Sequence, residues 1–389
     1  MVNKNEDIVS KINKIRDTEQ KSALNKWAGQ GFIGSVIAGT GFGKSRVGVL
    51  AVQYALKDGG DALILVPTVQ LQDQFIEEFD KWGVSHENVE VMCYQSAYKL
   101  KNKHYSIVVC DEIHLGLSPE YRKFFENNKF DMLLCMTATL PEELEYRELL
   151  DKIAPTAYKI TLDKCVKLGI VSPYEITCVP VKLTDEEAEE YKKINNKFVY
   201  WKYQLGNFDA FNEAKRILAS KSASGVQMQA AVQFYRLIRA RKQIVDFADN
   251  KINKFQQIYA ANTDKKILVF GGANDFTDKL CDSIPGGMAY HSKKTKKQKE
   301  LALESFKNDD INVLFSTKAL NQGFDVPNAN MGILCGITSK SLSMIQRVGR
   351  LIRFQEDKIG KIVIIYVADS QEEKWLKKAT KSLKNVVWQ

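Results

Sequence analysis

Short apolar runs alternate with amphipathic stretches through the first 170 residues. The runs FIGSVIAG, ALILVP, VEVMC, YSIVVC and DMLLCM each have the length of a strand and end at turn or polar residues. They are apolar almost throughout rather than every second residue, which predicts strands buried on both faces of a parallel sheet. From about 184 to 262 the pattern changes: LTDEEAEEYKKI is charged and helix-favouring, and no strand pattern follows until KILVF. Thr184 ahead of three acidic residues predicts a helix start. From Lys265 the alternation returns in KILVFGG, GMAYHS, INVLFST, MGILCG and KIVIIYV, and QEEKWLKKATKSLKNVVWQ predicts an amphipathic closing helix. The expected fold class is α/β, with parallel-sheet domains at 1–170 and 263–389 and a linker with a helical insertion at 171–262.

Composition narrows this picture only a little. The 389 residues are 44% hydrophobic and 26% charged, enough apolar material for two cores without a disulfide or metal staple. Seven cysteines include no CxxC pair, and Cys110, Cys135 and Cys335 sit inside apolar runs, as expected of reduced thiols in a cytoplasmic protein (or in host cytoplasm, if phage-encoded). The four histidines lack zinc spacing. No apolar run reaches the roughly 20 residues needed to span a bilayer, so no membrane partner is expected. A net charge of +9 favours a polyanionic partner weakly.

The candidate chemistry begins at SVIAGTGFGKS, which runs from a strand pattern into a helix pattern. Gly41 and Gly43 let the backbone curl so that its N–H groups face an anion, and the next helix presents its N-terminus to the same place. Lys44 would reach the β and γ phosphates and Ser45 would hold Mg²⁺. Ala38 stands where the strict phosphate-loop pattern has glycine. In YSIVVCDEIH, Asp111 and Glu112 follow a strand directly. Adjacent carboxylates there are costly unless they meet cations, which suits Asp111 to Mg²⁺ and Glu112 to activating water.

The ordered set GTGFGKS, DEIH and TAT resembles motifs I, II and III of superfamily 2 helicases, in the DExH branch, whose members often lack the first loop glycine. The resemblance implies two tandem RecA-like domains, ATP with Mg²⁺, and nucleic acid as partner. It adds Thr40 to the phosphate loop and makes His114, Thr137 and Thr139 the link between ATP and nucleic acid. LVPTVQLQDQF resembles motif Ia, placing Pro67 and Thr68 on nucleic acid, and MCYQSAYKL adds Ser96. TEQKSALNKW is similar to the adenine-reading segment, which makes Gln20 the adenine contact; the family's arginine three residues earlier is here Arg16, four earlier. INVLFSTKALNQGFDVPNAN resembles motif V, implying Thr317 on the nucleic-acid backbone and Gly323 and Asp325 facing the nucleotide. SMIQRVGRLIRF resembles motif VI, implying Gln346 near the attacking water and Arg350 and Arg353 as arginine fingers.

The expected function is an ATP-dependent DNA helicase or translocase. The alternatives are an RNA helicase, or a nucleotide switch acting on a protein partner without separating strands. FYRLIRARKQIVDFADNKI resembles the region before the second domain of DNA-translocating relatives and favours DNA over RNA. Two segments have two readings each. Lys293, Lys294, Lys296, Lys297 and Lys299 form either a phosphate grip or a solvated helix face. In KFVYWKYQLGNFDAF, Phe198, Tyr200, Trp201 and Tyr203 either stack on bases or pack a core, and the helical spacing of Phe198, Trp201 and Leu205 favours the core.

Overall fold

The structure, a computed structural model, describes residues 2–39, 41–57, 59–141, 143–171, 173–206, 209–220, 222–317, 329–338, 360–381 and 383–389, with side chains from Ile12 onward. It divides into two compact units, the first carrying Met1–Glu175 and the second carrying Ile176–Ala319, Met331–Ser341 and Lys361–Gln389. Thr40, Gly323, Asp325, Gln346, Arg350 and Arg353 lie outside the described residues.

In the first unit the chain runs α1 (Val2–Gly29), β1 (Ile33–Ala38), α2 (Lys44–Ala55), β2 (Ala62–Val66), α3 (Val69–Lys81), β3 (Val89–Cys93), α4 (Tyr94–Ala97), β4 (His104–Cys110), α5 (Lys123–Asn127), β5 (Lys129–Thr137), α6 (Leu144–Ile153), β6 (Thr156–Ile160) and α7 (Leu162–Lys167). The strands form one parallel sheet in the order β3-β2-β4-β5-β1-β6. Ile107–Cys110 and Leu133–Met136 are wholly buried, as their unbroken apolar runs require. Each such side chain contributes roughly 1.5–3 kcal/mol by leaving water. In α1, Gln20, Ala23 and Trp27 share one helical stripe (i, i+3, i+7) and all are buried. Trp27 anchors that stripe by donating its indole N–H to the Leu133 carbonyl at 2.9 Å.

The second unit contains β7 (Tyr174–Val181), α8 (Asp185–Gln204), α9 (Ala210–Ala219), α10 (Gly225–Asp246), α11 (Asp249–Ala260), β8 (Ile267–Phe270), α12 (Asn274–Asp282), β9 (Gly287–Tyr290), α13 (Lys296–Lys307), β10 (Val313–Ser316), β11 (Met331–Leu334), β12 (Gly360–Val367), α14 (Gln371–Thr380) and β13 (Val386–Trp388). Its sheet runs β13-β7-β12-β11-β8-β10-β9. Two sequence expectations are corrected here. Tyr174–Val181 lies inside the stretch expected to be linker, yet it is a strand of the second sheet; Val179, Val181, Val245 and Phe255 join that sheet's core. The final stretch is not one helix: α14 ends at Thr380, and Val386–Trp388 returns as a strand beside β7. A Val-Val-Trp strand finds its energy in pairing and in Trp388 packing on Tyr366, neither visible in a helical wheel.

Helices α8, α9 and α10 make a small core of their own from Leu205, Ala210, Ala214, Ile217, Ala230, Ala231 and Phe234, with Phe198 and Trp201 packed against it. The packing reading therefore holds for Phe198, Trp201 and Leu205. Thr184 caps α8 through a reciprocal capping box with Glu187, as the sequence predicts.

The second core also holds a buried ion pair. Lys251 donates to Glu372 Oε1 at 2.7 Å and to the Cys335 carbonyl at 2.9 Å, and Glu372 accepts from the Val367 backbone N–H at 3.0 Å. Desolvation pushes the Glu372 carboxyl above its usual range, against the pull of Lys251. The pair ties α11 to the carboxyl ends of β11 and β12. Removing one partner leaves a buried charge uncompensated, so Lys251→Met is expected to cost about 3–5 kcal/mol in denaturant unfolding, and Lys251→Met/Glu372→Met to recover most of it. A single variant as stable as the parent would contradict this role.

Candidate nucleotide-binding and catalytic site

The first unit's candidate residues gather where its parallel strands end. The phosphate loop follows β1, Asp111 and Glu112 follow β4, and Thr137 closes β5. Because β5 lies between β1 and β4, Thr137 sits next to Ile37 on one side while Cys135 pairs Cys110 on the other. Ligands in such sheets bind outside the carboxyl ends of the strands.

The loop is built for close approach by an anion. Gly41 and Gly43 have φ of 81° and 85°. A Cβ on Gly43 would lie 2.4 Å from Gln20 Nε2, and one on Gly41 would lie 2.8 Å from Val171 Cγ2. Helix α2 starts at Lys44, and Val47 N donates back to Gly43 O at 3.4 Å. The first N–H groups of a helix have no partner within it, so they face the loop's concavity. Lys44 is buried and donates to the Ala38 carbonyl at 3.1 Å. Ala38, where the family pattern has glycine, is thus used through its backbone.

Gln20 is buried against this loop. Its amide donates to Phe42 O at 2.7 Å and to Gly43 O at 3.2 Å, and its oxygen accepts from Arg46 at 2.7 Å. Arg46 also meets Asp17 at 2.6 Å and lies 4.1 Å over the Trp82 ring. Sequence reading missed Asp17 and Arg46, since the partners lie 26 and 29 residues apart with no local signature. Arg16 reaches the Ile170 carbonyl at 3.0 Å.

Asp111 is buried at the end of β4, and its carbonyl accepts from the Tyr94 hydroxyl at 2.8 Å. Tyr94 fits because Gly116 leaves room: a Cβ there would meet the ring at 2.6 Å. Glu112 takes a left-handed backbone, φ 46° and ψ 51°, a costly conformation for a residue with a side chain. Its Oε2 lies 3.4 Å from both Thr137 Oγ1 and His114 Nδ1, while His114 Nδ1 is 3.3 Å from Thr137 Oγ1. Thr137 also bridges to Thr139, donating to its carbonyl at 3.0 Å and accepting from its N–H at 3.4 Å. The end of β5 and the segment after β4 therefore touch directly, through Thr137, Glu112 and His114.

Among the described residues no group of three or more His, Cys, Asp or Glu could hold a metal. Mg²⁺ typically binds through one or two carboxylates plus phosphate oxygens and water. Asp111 and the half-buried Ser45 are the protein oxygens that would fit such an ion.

The nucleic-acid candidates also lie past strand ends. Pro67 is buried, and its carbonyl accepts from Gln95 Nε2 at 3.2 Å. Thr68 precedes α3 with its hydroxyl buried and unpaired, and Ser96 is exposed on α4. In the second unit Thr317 donates to Asn274 Oδ1 at 3.0 Å, and Asn274 donates to Ser292 Oγ at 3.1 Å. Three lysines of the 293–299 cluster have carboxylate partners: Lys293 with Asp275, Lys294 with Asp278 and Lys296 with Glu300. Of the three only Lys296 lies on α13; Lys293 and Lys294 lie in the turn before it, so the helix-face reading applies to Lys296 and not to those two.

Family models agree with the geometry. A DEAD/DEAH box helicase model matches residues 17–104, and a helicase conserved C-terminal domain model matches residues 250–355. The chain is a superfamily 2 helicase. It is 24% identical over 352 residues to the DNA 3'-5' translocase XPB2 of Sulfurisphaera tokodaii, covering 85% of this chain and 77% of that protein. It is also 24% identical to the pre-mRNA-splicing ATP-dependent RNA helicase PRP28 of Saccharomyces cerevisiae, covering 81% of this chain and 52% of that one. The helicase domain of Hef from Pyrococcus furiosus shares the fold at a TM-score of 0.55 and 16% identity, covering 92% of this helicase and 97% of that domain. These likenesses establish the pair of RecA-like domains. No helix among the described residues is long and apolar enough to cross a membrane.

Gly43 and Gly59 both have positive φ, but only Gly43 faces an obstacle. Gly59→Ala is therefore expected to cost only about 1–2 kcal/mol of backbone strain and to leave nucleotide affinity unchanged. Gly43→Ala is expected to abolish ATP binding measured by titration calorimetry. Equal nucleotide affinity in the two variants would contradict the close fit at Gln20.

Proposed function

We propose that this helicase is an ATP-driven DNA translocase that moves along, unwinds or branch-migrates DNA. The observation that carries the choice of DNA is the similarity to an archaeal DNA 3'-5' translocase over most of both chains. The similarity to PRP28 supports a second reading, an RNA helicase, over a smaller share of that relative.

In this reading Lys44 and the first turn of α2 bind the nucleotide's phosphates, and Ser45 and Asp111 hold Mg²⁺. The bound ion supplies charge neutralisation on the transferred phosphoryl group. Glu112 orients the attacking water and takes its proton. Thr137 and His114, both within 3.4 Å of the Glu112 carboxylate, set its direction and pass on the state of the nucleic-acid side. Thr139 shares that path through its backbone. Pro67, Thr68, Ser96 and Thr317 contact phosphate and sugar, so base sequence matters little. Thr40, Gly323 and Asp325 complete the nucleotide's surroundings. Gln346 positions the water, and Arg350 and Arg353 stabilise the developing charge. Gln20 has both amide hydrogens on Phe42 O and Gly43 O and accepts from Arg46, so for it to read the adenine edge it has to release the loop when the nucleotide binds.

Glu112→Gln is expected to keep ATP affinity and to lose turnover by about 10²-fold or more. Near-normal turnover in that variant would remove the base role. The choice of track is tested by ATPase rates measured in parallel with single-stranded DNA, duplex, fork, four-way junction and RNA. DNA is expected to stimulate most; stimulation by RNA alone would favour the second reading, and none at all would favour a protein-directed switch.

A further inference from the structure

The chain's surplus charge is not spread over it. Residues 191–245 hold eleven Lys and Arg against two Asp and Glu, a surplus of nine. That equals the net charge of the whole chain, so all the other residues together are neutral. The segment covers most of α8, all of α9 and nearly all of α10, the three helices with their own core; counted over the whole of those helices and their connections, 185–246, there are eleven basic against eight acidic residues, because Asp185, Glu186, Glu187, Glu189 and Glu190 open α8 and Asp246 closes α10.

The charge lies on the outside of that core, interleaved with aromatic rings. On α8, Phe198, Trp201 and Leu205 face inward. At 100° per residue the opposite stripe carries Lys192, Lys193, Asn196, Tyr200 and Tyr203, with Lys197 at its border. Tyr200 and Tyr203 are 56% and 72% exposed, and Lys192, Lys193 and Lys197 are exposed beside them. On α10 the outward stripe carries Arg236 and Arg239, and on α9 Lys215 and Phe211 are exposed. Among the described residues Lys192, Lys197, Lys202, Lys215, Arg236 and Arg239 have no ion pair, whereas Lys193 pairs with Glu189 at 2.7 Å on the exposed face of α8. Unpaired cations cost a fold self-repulsion and return nothing to it unless a polyanion arrives. Tyr200 packs edge-on against Trp201 with centroids 5.2 Å apart, and its remaining surface and the Tyr203 ring one turn away are open to flat partners.

We propose that the outer face of α8, centred on Tyr200 and Tyr203 and flanked by Lys192, Lys193 and Lys197, is a second nucleic-acid grip that takes a single strand. The lysines track its phosphates and the tyrosines stack on its bases. The site is separate from the strand-end contacts and independent of the ATP cycle's residues. It holds the track while the strand-end contacts let go. The inference rests on the reading of this helicase as a nucleic-acid motor.

The test uses the full chain and a fluorescein-labelled oligothymidylate, with affinity read by anisotropy across a salt series. Lys192→Ala/Lys193→Ala/Lys197→Ala is expected to make the log–log salt dependence shallower by about 2, at roughly 0.7 for each phosphate no longer neutralised. Tyr200→Ala/Tyr203→Ala is expected to weaken binding about tenfold at every salt concentration with the slope unchanged, and Tyr200→Phe/Tyr203→Phe to bind like the parent. ATPase turnover without nucleic acid and the melting curve are expected to be unchanged in all three. If the parent binds the oligonucleotide and is stimulated by it while the variants match its affinity and slope, the grip is overturned, and the charged face belongs to an acidic protein instead. If the parent neither binds nor is stimulated by DNA or RNA, the motor reading fails and the grip fails with it.

Discussion

One hydroxyl, that of Thr137, stands among the Glu112 carboxylate, the His114 ring and the Thr139 backbone. It has a single proton to give. Donating to the Thr139 carbonyl at 3.0 Å, it cannot also donate to Glu112 at 3.4 Å. Two arrangements of one proton are thus available within a few tenths of an ångström, one directed at the loop after β5 and one at the carboxylate. Thr137 can play this part because it ends the strand lying between the phosphate loop's strand and the strand of Asp111. Those three strands are buried on both faces, so the relative positions of the loop, the carboxylates and the hydroxyl are fixed by core packing rather than by the site. The left-handed Glu112 is the local strain that such packing tolerates.

The two units use charge differently from the three helices joined to the second. Outside residues 191–245 acidic and basic residues balance, and the buried pair Lys251–Glu372 neutralises itself while pinning α11 to two strand ends. Buried ion pairs often add little to stability, so this one is better understood as fixing which strand ends meet. On helices α8–α10, Lys193, Arg216 and Lys242 are ion-paired, while Lys192, Lys197, Lys202, Lys215, Arg236 and Arg239 have no ion pair among the described residues.

How much of this was legible in the sequence follows from where the energy lies. Strands β1, β2, β4, β5, β8 and β10–β12 were legible because burial on both faces writes them as apolar runs, while the part-buried edge strands β3 and β9 were legible as short apolar runs between turn residues. The edge strand β6 was missed because TAYKI carries polar residues among few apolar ones, and β7 because it lay in a stretch assigned to the linker. The phosphate loop was legible because its parts are consecutive. The contacts that hold it were not: Gln20 was assigned to adenine by likeness, and its bonds to Phe42 and Gly43 and the Arg46–Asp17 pair behind it join helices far apart in sequence. Spacing pointed Phe198 and Trp201 to a core, but the four aromatics were read together, and only the structure shows Tyr200 and Tyr203 facing outward.

The most direct measurement is single-turnover ATP hydrolysis by Thr137→Val, with and without single-stranded DNA. Valine keeps the shape and removes the proton that Glu112 and Thr139 share. ATP affinity is expected to match the parent, and the rate with DNA to fall to the DNA-free rate. Full stimulation by DNA in that variant would show that the hydroxyl does not link the catalytic carboxylate to the nucleic-acid side.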